Sequence, residues 1–165
     1  MFNIYLTNLA DYNAGYLHGN WVSLPADLTK ELTKIGCIDE ESGEYINEHF
    51  ITDYENDYGY NVSEYENIEE LNELAEQLEA LNEDQQEHLK AYMEATGYSL
   101  KESLDKYEDS IYYSGMTLLD VAYEIVEECY DLPEIAQRYF DYEAFARDLG
   151  FDGYTETENG TICIQ

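Results

Sequence analysis

Carboxylates are the side chains most able to do chemistry in this sequence, and they are concentrated in its middle. The stretch from Asp53 to His88 holds thirteen Asp and Glu residues and four tyrosines. Neither Lys nor Arg occurs between Lys34 and Lys90. Such a run could bind a divalent cation, supply an acid–base pair, or present an array of negative charge to a basic partner.

The metal-binding alternative depends on a near match to the calcium loop of an EF-hand. That loop needs oxygen ligands at positions 1, 3, 5, 9 and 12, and a glycine at position 6. The ligand positions are occupied here by Asp53, Glu55, Asp57, Asn61 and Glu64. The sixth position is Tyr58, however, and the residues before the loop have the pattern of a strand. A calcium-dependent interaction protein stays open as an alternative, but we predict neither a metal site nor a cofactor.

Signatures of catalysis are missing from the sequence. It contains no G-x-S-x-G, no H-E-x-x-H and no phosphate-binding glycine loop with lysine. His18, His49 and His88 have no metal-ligand spacing to one another. With 38 carboxylates, some pair always lies at glycosidase distance, so such a pair has no diagnostic value. We therefore predict that the protein is not an enzyme and has no catalytic residue.

The net charge of −31 is distributed unevenly along the chain. Residues 1–36 carry three acids and two bases, residues 37–89 carry eighteen acids and no base, and residues 90–165 carry seventeen acids and five bases. Halophilic adaptation would spread acids through the chain, whereas the first segment is nearly neutral. Nucleic acid and acidic membranes would be repelled. The charge predicts a basic protein as partner, a solvated acidic face being the plainer alternative.

The central acids are spaced closely enough to compare with a polyanion. Eight carboxylates lie between Glu69 and Glu87, which on a helix is one charge per roughly 3.5 Å of axis. One strand of B-DNA has one phosphate per about 3.4 Å, although the helix is expected to break at Asn82. The predicted partner-binding residues are Asp53, Glu55, Asp57, Glu64, Glu66, Glu69, Glu70, Glu73, Glu76, Glu79, Glu83, Asp84, Glu87 and Asp109.

The pattern of elements that must position these acids predicts an α+β fold with three small domains in tandem. Domain 1–61 has strands FNIYLTN, WVSL and YINEHFITDY and a helix that Asp27 opens and Gly36 closes. Domain 62–103 is helical and acidic, with apolar residues spaced by three or four from Ile68 to Leu81. Domain 104–165 combines helices with a small sheet.

Local signals fix several element ends. Gly97 is expected to end the second central helix. Ser99 with Glu102, and Thr117 with Asp120, are spaced as capping boxes at helix starts. Asn159–Gly160 predicts a hairpin that joins YTET to TICIQ.

The cysteine pattern and the hydropathy predict where in the cell the protein is located. The three cysteines are widely spaced, with no C-x-x-C pair. Neither a signal peptide nor a stretch of about 20 apolar residues occurs. We expect reduced thiols and a cytoplasmic location.

Two stretches resemble the ArdA antirestriction proteins. The first is YLTNLADYNAGYLHGNWVSL near the start, and the second is LLDVAYEIVEECYDLPE followed by YFDYEAFARDLG. The resemblance implies an elongated three-domain α+β protein of mobile genetic elements that imitates bent duplex DNA. Such a protein occupies the DNA-binding groove in the specificity-and-methylation core of Type I restriction–modification enzymes. An acidic binding module for another basic DNA-binding protein is the alternative.

The resemblance also implies a homodimer formed through the C-terminal region. The family's antirestriction motif falls on or near residues 118–130, where apolar side chains recur at helical spacing. We expect these side chains to be packing or dimer contacts and not phosphate mimics. They are Leu118, Val121, Ala122, Ile125, Val126 and Cys129. The run from His18 to Trp21 is expected to form a turn and a core anchor.

Overall fold

The computed structural model describes residues 1–164, which adopt an α+β fold. This part of the chain contains eight α-helices and two three-stranded sheets. It divides into two compact units, residues 1–81 and the residues from Asn82 onward. The acidic helical segment is thereby divided, since its first helix belongs to the same unit as the N-terminal sheet. The division into three domains stays a prediction.

An antiparallel sheet of order β2-β1-β3 organises the first unit. Its strands are β1 (Phe2–Asn8), β2 (Gly19–Ser23) and β3 (His49–Asn56). In the register, Ile4 lies opposite Val22 on one side and Tyr54 on the other. Alternation along β1 buries one face, as predicted, with Phe2, Ile4 and Leu6 almost inaccessible to solvent.

The third strand begins at His49 and not at Tyr45, so the predicted start is four residues too early. The residues before it form hydrogen bonds with residues 36 and 37 instead of pairing in the sheet. The backbone N–H of Ile46 donates to the carbonyl of Cys37 at 2.9 Å, and Asn47 Nδ2 donates to the carbonyl of Gly36 at 3.0 Å. These hydrogen bonds hold residues 45–47 as a loop beside the end of a helix.

Three helices complete the first unit: α1 (Leu9–Asn13), α2 (Leu28–Lys34) and α3 (Ile68–Ala80). Helix α2 is capped by Asp27, and Gly36 takes the left-handed conformation just after it, as predicted. Helix α3 buries its apolar stripe. The backbone N–H of Ala26 donates to Asn72 Oδ1 at 2.8 Å, which ties α3 to the segment before α2.

The second unit combines a sheet of order β4-β6-β5 with five helices. The strands are β4 (Ile111–Ser114), β5 (Tyr154–Thr157) and β6 (Gly160–Cys163). The helices are α4 (Glu83–Thr96), α5 (Leu100–Leu104), α6 (Leu118–Cys129), α7 (Glu134–Gln137) and α8 (Tyr142–Leu149). Helices α6 and α8 pack together through a core of Val121, Ala122, Ala146 and Leu149.

The helix starts of the second unit follow the predicted capping boxes. Both Ser99 with Glu102 and Thr117 with Asp120 form the reciprocal pair of hydrogen bonds. A third box, Asn82 with Gln85, starts α4, which confirms the helix break expected at Asn82. The predicted hairpin is also present, although its two-residue turn is 158–159 and Gly160 already belongs to β6.

The run from His18 to Trp21 combines a close backbone approach with an exposed ring. A Cβ on Gly19 would lie 2.5 Å from Tyr5 Cε1 and 2.6 Å from the Leu6 carbonyl oxygen, so only glycine fits at this position of β2. Trp21 is 43% exposed and meets the Tyr5 ring edge-to-face at a centroid distance of 5.4 Å. The expectation of a turn is wrong for residues 19–21, which begin strand β2, and the expectation of a core anchor is wrong for Trp21, whose ring lies on the outer face of the sheet.

Asn8 connects three parts of the first unit, and its replacement should be among the most damaging there. Its Oδ1 accepts hydrogen bonds from the N–H groups of Ala10 and Asp11, and its Nδ2 donates to the carbonyls of Ile35 and Gly36. Asn8 is 1% exposed. Asn8→Ala removes a helix cap and takes the side-chain donor away from the carbonyl of the buried Ile35. We expect it to lower the free energy of unfolding by about 2–4 kcal/mol.

Urea unfolding monitored by circular dichroism measures this change. Asn13→Ala is the matched control, because Asn13 is an exposed residue at the end of α1. A loss for Asn8→Ala no larger than that of the control would show that the buried amide does not hold the unit together.

Candidate functional site

The predicted partner-binding carboxylates are almost all on the surface. Of the fourteen, thirteen are exposed and Glu66 is half-buried. They are distributed over several elements of both units. Five belong to α3 and three to α4, which lie in different units, and the remaining ones lie on β3, in the loop between β3 and α3, and in the 3-10 turn Tyr107–Asp109.

Helix α3 carries the most regular part of this surface. Its buried residues are Ile68, Leu71, Leu74, Ala75 and Leu78. Its five glutamates occupy roughly the opposite half of the helix circumference. Glu69, Glu73 and Glu76 follow one another at spacings of four and three residues, so they form a row with about 4.5–6 Å of axial rise between neighbours. The buried stripe thereby holds this row of carboxylates towards solvent.

The acids of β3 are positioned by the pleat of the sheet. Asp53 and Glu55 are both exposed and lie two residues apart, so their side chains project from the same face. In the register they lie opposite Tyr5 and Asn3 of β1. Asp57, just past the strand, pairs with the N-terminal ammonium group. Carboxylates on this sheet face therefore border aromatic and amide side chains.

Some predicted carboxylates have internal partners that give them a structural role. Glu66 Oε1 accepts a short hydrogen bond from the Tyr60 hydroxyl, and its Oε2 accepts from the N–H of Ser63 at 2.9 Å. Glu87 Oε2 accepts from the Ser114 hydroxyl at 3.1 Å. Glu66 in particular organises the loop that precedes α3. Its half-buried position follows from those bonds.

Sequence reasoning missed two further acids with defined partners. The N–H of Leu118 donates to Glu156 Oε2 at 2.8 Å, so a carboxylate from β5 caps the start of α6. The N–H of Glu158 donates to the Glu94 carboxylate at 3.2 Å, which joins the hairpin turn to α4. These pairs are separated by 38 and 64 residues, so no local spacing signals them.

The calcium-loop positions do not form a ligand cage. Asp53 and Glu55 lie on the extended strand β3, which confirms that a strand and not a helix precedes this segment. Within residues 1–164, no group of three or more His, Cys, Asp or Glu side chains is placed to hold a metal ion. The structure thus gives no specific support to the calcium-dependent alternative.

The negative charge of the surface at neutral pH comes from carboxylates and not from tyrosines. Burial, with the charge of Asp57 as a second cause, raises the pKa of Tyr58. Burial and then Glu87 raise the pKa of Tyr112. Burial also raises the pKa of Cys37 to about 11, with a smaller effect of Asp11. These hydroxyls and this thiol therefore stay protonated and neutral.

The motif residues of α6 lie at very different depths. Val121, Ala122 and Val126 are 0–1% exposed and belong to the core of the second unit. Leu118 and Ile125 are half-buried against that core. Cys129 is exposed at the end of the helix, as a free thiol. The three buried side chains are accounted for by packing within one chain, and a dimer contact stays a prediction for this helix.

A comparison with protein families identifies the family of the chain that carries this acidic surface. The family model described as antirestriction protein (ArdA) matches residues 4–163, nearly the whole chain. The chain belongs to the ArdA family. Membership implies an antirestriction function and an interaction with restriction enzymes. The comparison with curated proteins gives no match.

ArdA membership covers both units, so neither the acidic helices nor the C-terminal sheet is an addition to the family's domain. The family is one of inhibitor proteins, which agrees with the missing catalytic signatures. Among the described residues, none of the helices combines the length and the apolar character needed to cross a bilayer.

Repulsion along α3 should be measurable in this ArdA chain. Glu73 has Glu69, Glu70 and Glu76 at helical spacings of four and three residues, and each like-charge pair destabilises a helix by about 0.2–0.5 kcal/mol. Glu73→Gln keeps helix propensity nearly constant. We expect it to raise the free energy of unfolding by about 0.5–1.5 kcal/mol at low salt, from urea unfolding.

The gain should largely vanish in 1 M salt, where the Debye length is about 3 Å. The reciprocal variant Gln77→Glu on the same helix adds a like charge four residues from Glu73 and should destabilise by a few tenths of a kcal/mol. Equal effects at both salt concentrations would assign the change to packing or propensity and not to charge.

Proposed function

We propose that this ArdA protein blocks Type I restriction–modification enzymes by imitating bent duplex DNA with its surface carboxylates. The observation that supports the proposal best is the exposed face of α3. There, a buried apolar stripe holds five glutamates towards solvent on one rigid element. Because the charges are already held in place, a partner that binds them loses less conformational entropy than it would by ordering a flexible acidic tail.

The energy of the contact comes from the cationic groove of the enzyme. A groove that binds duplex DNA is lined with Lys and Arg, and DNA binding releases the counterions condensed on the phosphates. A folded array of carboxylates draws on the same attraction, which gives rapid and salt-sensitive association. Phosphate contacts carry no sequence information. The same surface therefore acts on enzymes with different recognition sequences.

Internal hydrogen bonds distinguish the predicted carboxylates from one another. Glu66 holds a loop through Tyr60 and Ser63, so its replacement would act through the fold. Glu69, Glu73 and Glu76 project from the exposed face of α3, where Glu76 Oε1 accepts a hydrogen bond of 3.3 Å from a neighbouring turn of the same helix. We assign direct contacts first to this row, because a partner can reach it without disturbing a loop.

Neutralising that row should release a restriction enzyme in proportion to the charges removed. In the triple variant Glu69→Gln, Glu73→Gln, Glu76→Gln, the concentration needed for half-maximal inhibition should rise at least about fivefold. This rise corresponds to a loss of about 1 kcal/mol of binding free energy. The slope of log inhibition constant against log salt should fall by roughly two to three. Displacement of labelled DNA from the enzyme, measured over a range of salt concentrations, gives both values.

The control removes the same number of charges outside the predicted set. Glu40, Glu41 and Asp105 are exposed and not among the predicted residues, so Glu40→Gln, Glu41→Gln, Asp105→Asn should change inhibition little. Equal losses of inhibition in the two triple variants would mean that the enzyme responds to net charge alone and not to the positions of the carboxylates. Undiminished inhibition by a folded Glu69, Glu73, Glu76 variant would refute the proposal.

We further propose that the protein is a homodimer that associates through the second unit. What supports this is a set of apolar side chains left exposed between the end of α6 and the residues just after α7. Ile135 is 64% exposed, Tyr139 is 83% exposed and Tyr130 is 53% exposed. Exposed apolar residues gathered on one segment are typical of an interface. Cys129, at the end of α6, lies next to them in the chain.

The double variant Ile135→Asp, Tyr139→Asp should shift the protein from dimer to monomer in sedimentation velocity, because it places charge in an apolar contact. Tyr16→Asp is the control, since Tyr16 is 70% exposed in the first unit. A wild-type protein that sediments as a monomer at high concentration, or a double variant that stays dimeric, would contradict this interface.

A further inference from the structure

A groove in the first unit has aromatic walls and an acidic rim, and none of the fourteen predicted carboxylates lines it. It encloses about 500 Å³, which is within the range of small binding pockets (about 300–1,000 Å³). Tyr45 is 62% exposed and Tyr65 is 70% exposed, on opposite sequence flanks of β3. The lining residues are Tyr45, Ile46, Asn47, Glu48, His49 and Tyr65.

The Tyr45 side of the groove is held by backbone hydrogen bonds. The N–H of Ile46 donates to the Cys37 carbonyl at 2.9 Å. The carbonyl of Glu48 accepts from the N–H of Leu9 at 2.9 Å. The exposed tyrosine and isoleucine therefore project from a fixed loop, and their exposure is a property of the fold.

The Tyr65 side is fixed independently of the first. The N–H of Ile51 donates to the Glu64 carbonyl at 2.8 Å, which ties the residue before Tyr65 to β3. The Tyr65 ring stacks on Phe50 with a centroid distance of 6.1 Å and an interplanar angle of 23°. Phe50 itself is 7% exposed. One face of Tyr65 thus rests on a buried ring.

The charges around the groove are negative. Glu48 is exposed at the groove, and the neighbouring Glu44 and Glu64 are exposed as well. Burial lowers the pKa of His49, against the opposing effect of Glu69 and Glu48, so this imidazole is neutral at pH 7. None of the lining residues is Lys or Arg. An occupant must therefore offer positive charge together with a surface that stacks on tyrosine.

We propose that the groove receives an arginine side chain of the basic partner, with its guanidinium against the tyrosine rings and its N–H groups towards the Glu48 carboxylate. Arginine fits better than lysine because its guanidinium is planar, weakly hydrated and able to donate two parallel hydrogen bonds. This inference deepens the proposed function and rests on it for the identity of the partner. The carboxylates of the array alone would offer an arginine no aromatic ring to stack on.

Peptide binding tests the groove without any restriction enzyme. The probes are a blocked peptide of three arginines and one of three lysines, titrated into the ¹⁵N-labelled protein and followed by amide chemical shifts. We expect the arginine peptide to shift the amides of residues 45–49 and 65 and to bind more tightly there than the lysine peptide. In Tyr45→Leu, Tyr65→Leu, which keeps apolar volume but removes both π faces, binding should weaken roughly five- to thirtyfold.

Two further variants keep the test decisive. Glu48→Gln should weaken binding of the arginine peptide without loss of the ring contacts, and Tyr16→Leu, at a tyrosine that is 70% exposed and does not line the groove, should leave it unchanged. The inference fails if both peptides shift the same amides equally, or if the double leucine variant binds like the wild type. Failure of the proposed function would show separately, as wild-type protein that does not displace DNA from the enzyme.

Discussion

Repulsion among like charges is the constraint that the rest of this structure must accommodate. A chain with 38 acids and seven bases cannot neutralise its surface by pairing. In α3, each neighbouring pair of glutamates costs about 0.2–0.5 kcal/mol, whereas each fully buried Leu or Ile contributes about 1.5–3 kcal/mol. With Ile68, Leu71, Leu74 and Leu78 buried on the opposite side, apolar burial exceeds the repulsion several times over. The acidic face persists because the apolar stripe beneath it is continuous.

The scarcity of cations also explains how the acids with structural roles are satisfied. Their partners are backbone N–H groups and hydroxyls, as in the capping of α6 by Glu156 and in the hydrogen bond from Tyr60 to Glu66. Hydrogen bonds of this kind to an ionised carboxylate are among the stronger ones in proteins. They also leave the net charge intact, since no Lys or Arg is consumed. Hydroxyl and backbone donors thereby satisfy these carboxylates without neutralising their charge.

The sequence was informative wherever the signal was local. Capping boxes at Ser99 and Thr117, the left-handed glycine after α4, and the hairpin at Asn159–Gly160 all depend on a few neighbouring residues, and the structure confirms them. The start of β3 was misplaced because residues 45–47 satisfy their hydrogen bonds on Cys37 and Gly36, far from the strand pattern. Strand β4 was missed because four residues are too few to show alternation. The exposure of Glu69, Glu73 and Glu76 follows from the helical period of α3. The hydrogen bonds that Glu94 and Glu156 accept could not be predicted, because their donors are 64 and 38 residues away in the sequence.

This separation of tasks bears on the proposed imitation of a polyanion. Phosphates in DNA are equivalent, and each contributes charge alone. Carboxylates in a protein are not equivalent, because a folded chain must commit hydrogen bonds to its own helix ends, loops and turns. Glu66 and Glu156 have such partners, whereas the row from Glu69 to Glu76 is exposed on a helix whose fold depends on its other face. Recognition by charge should therefore follow the position of a carboxylate, and not the total of −31.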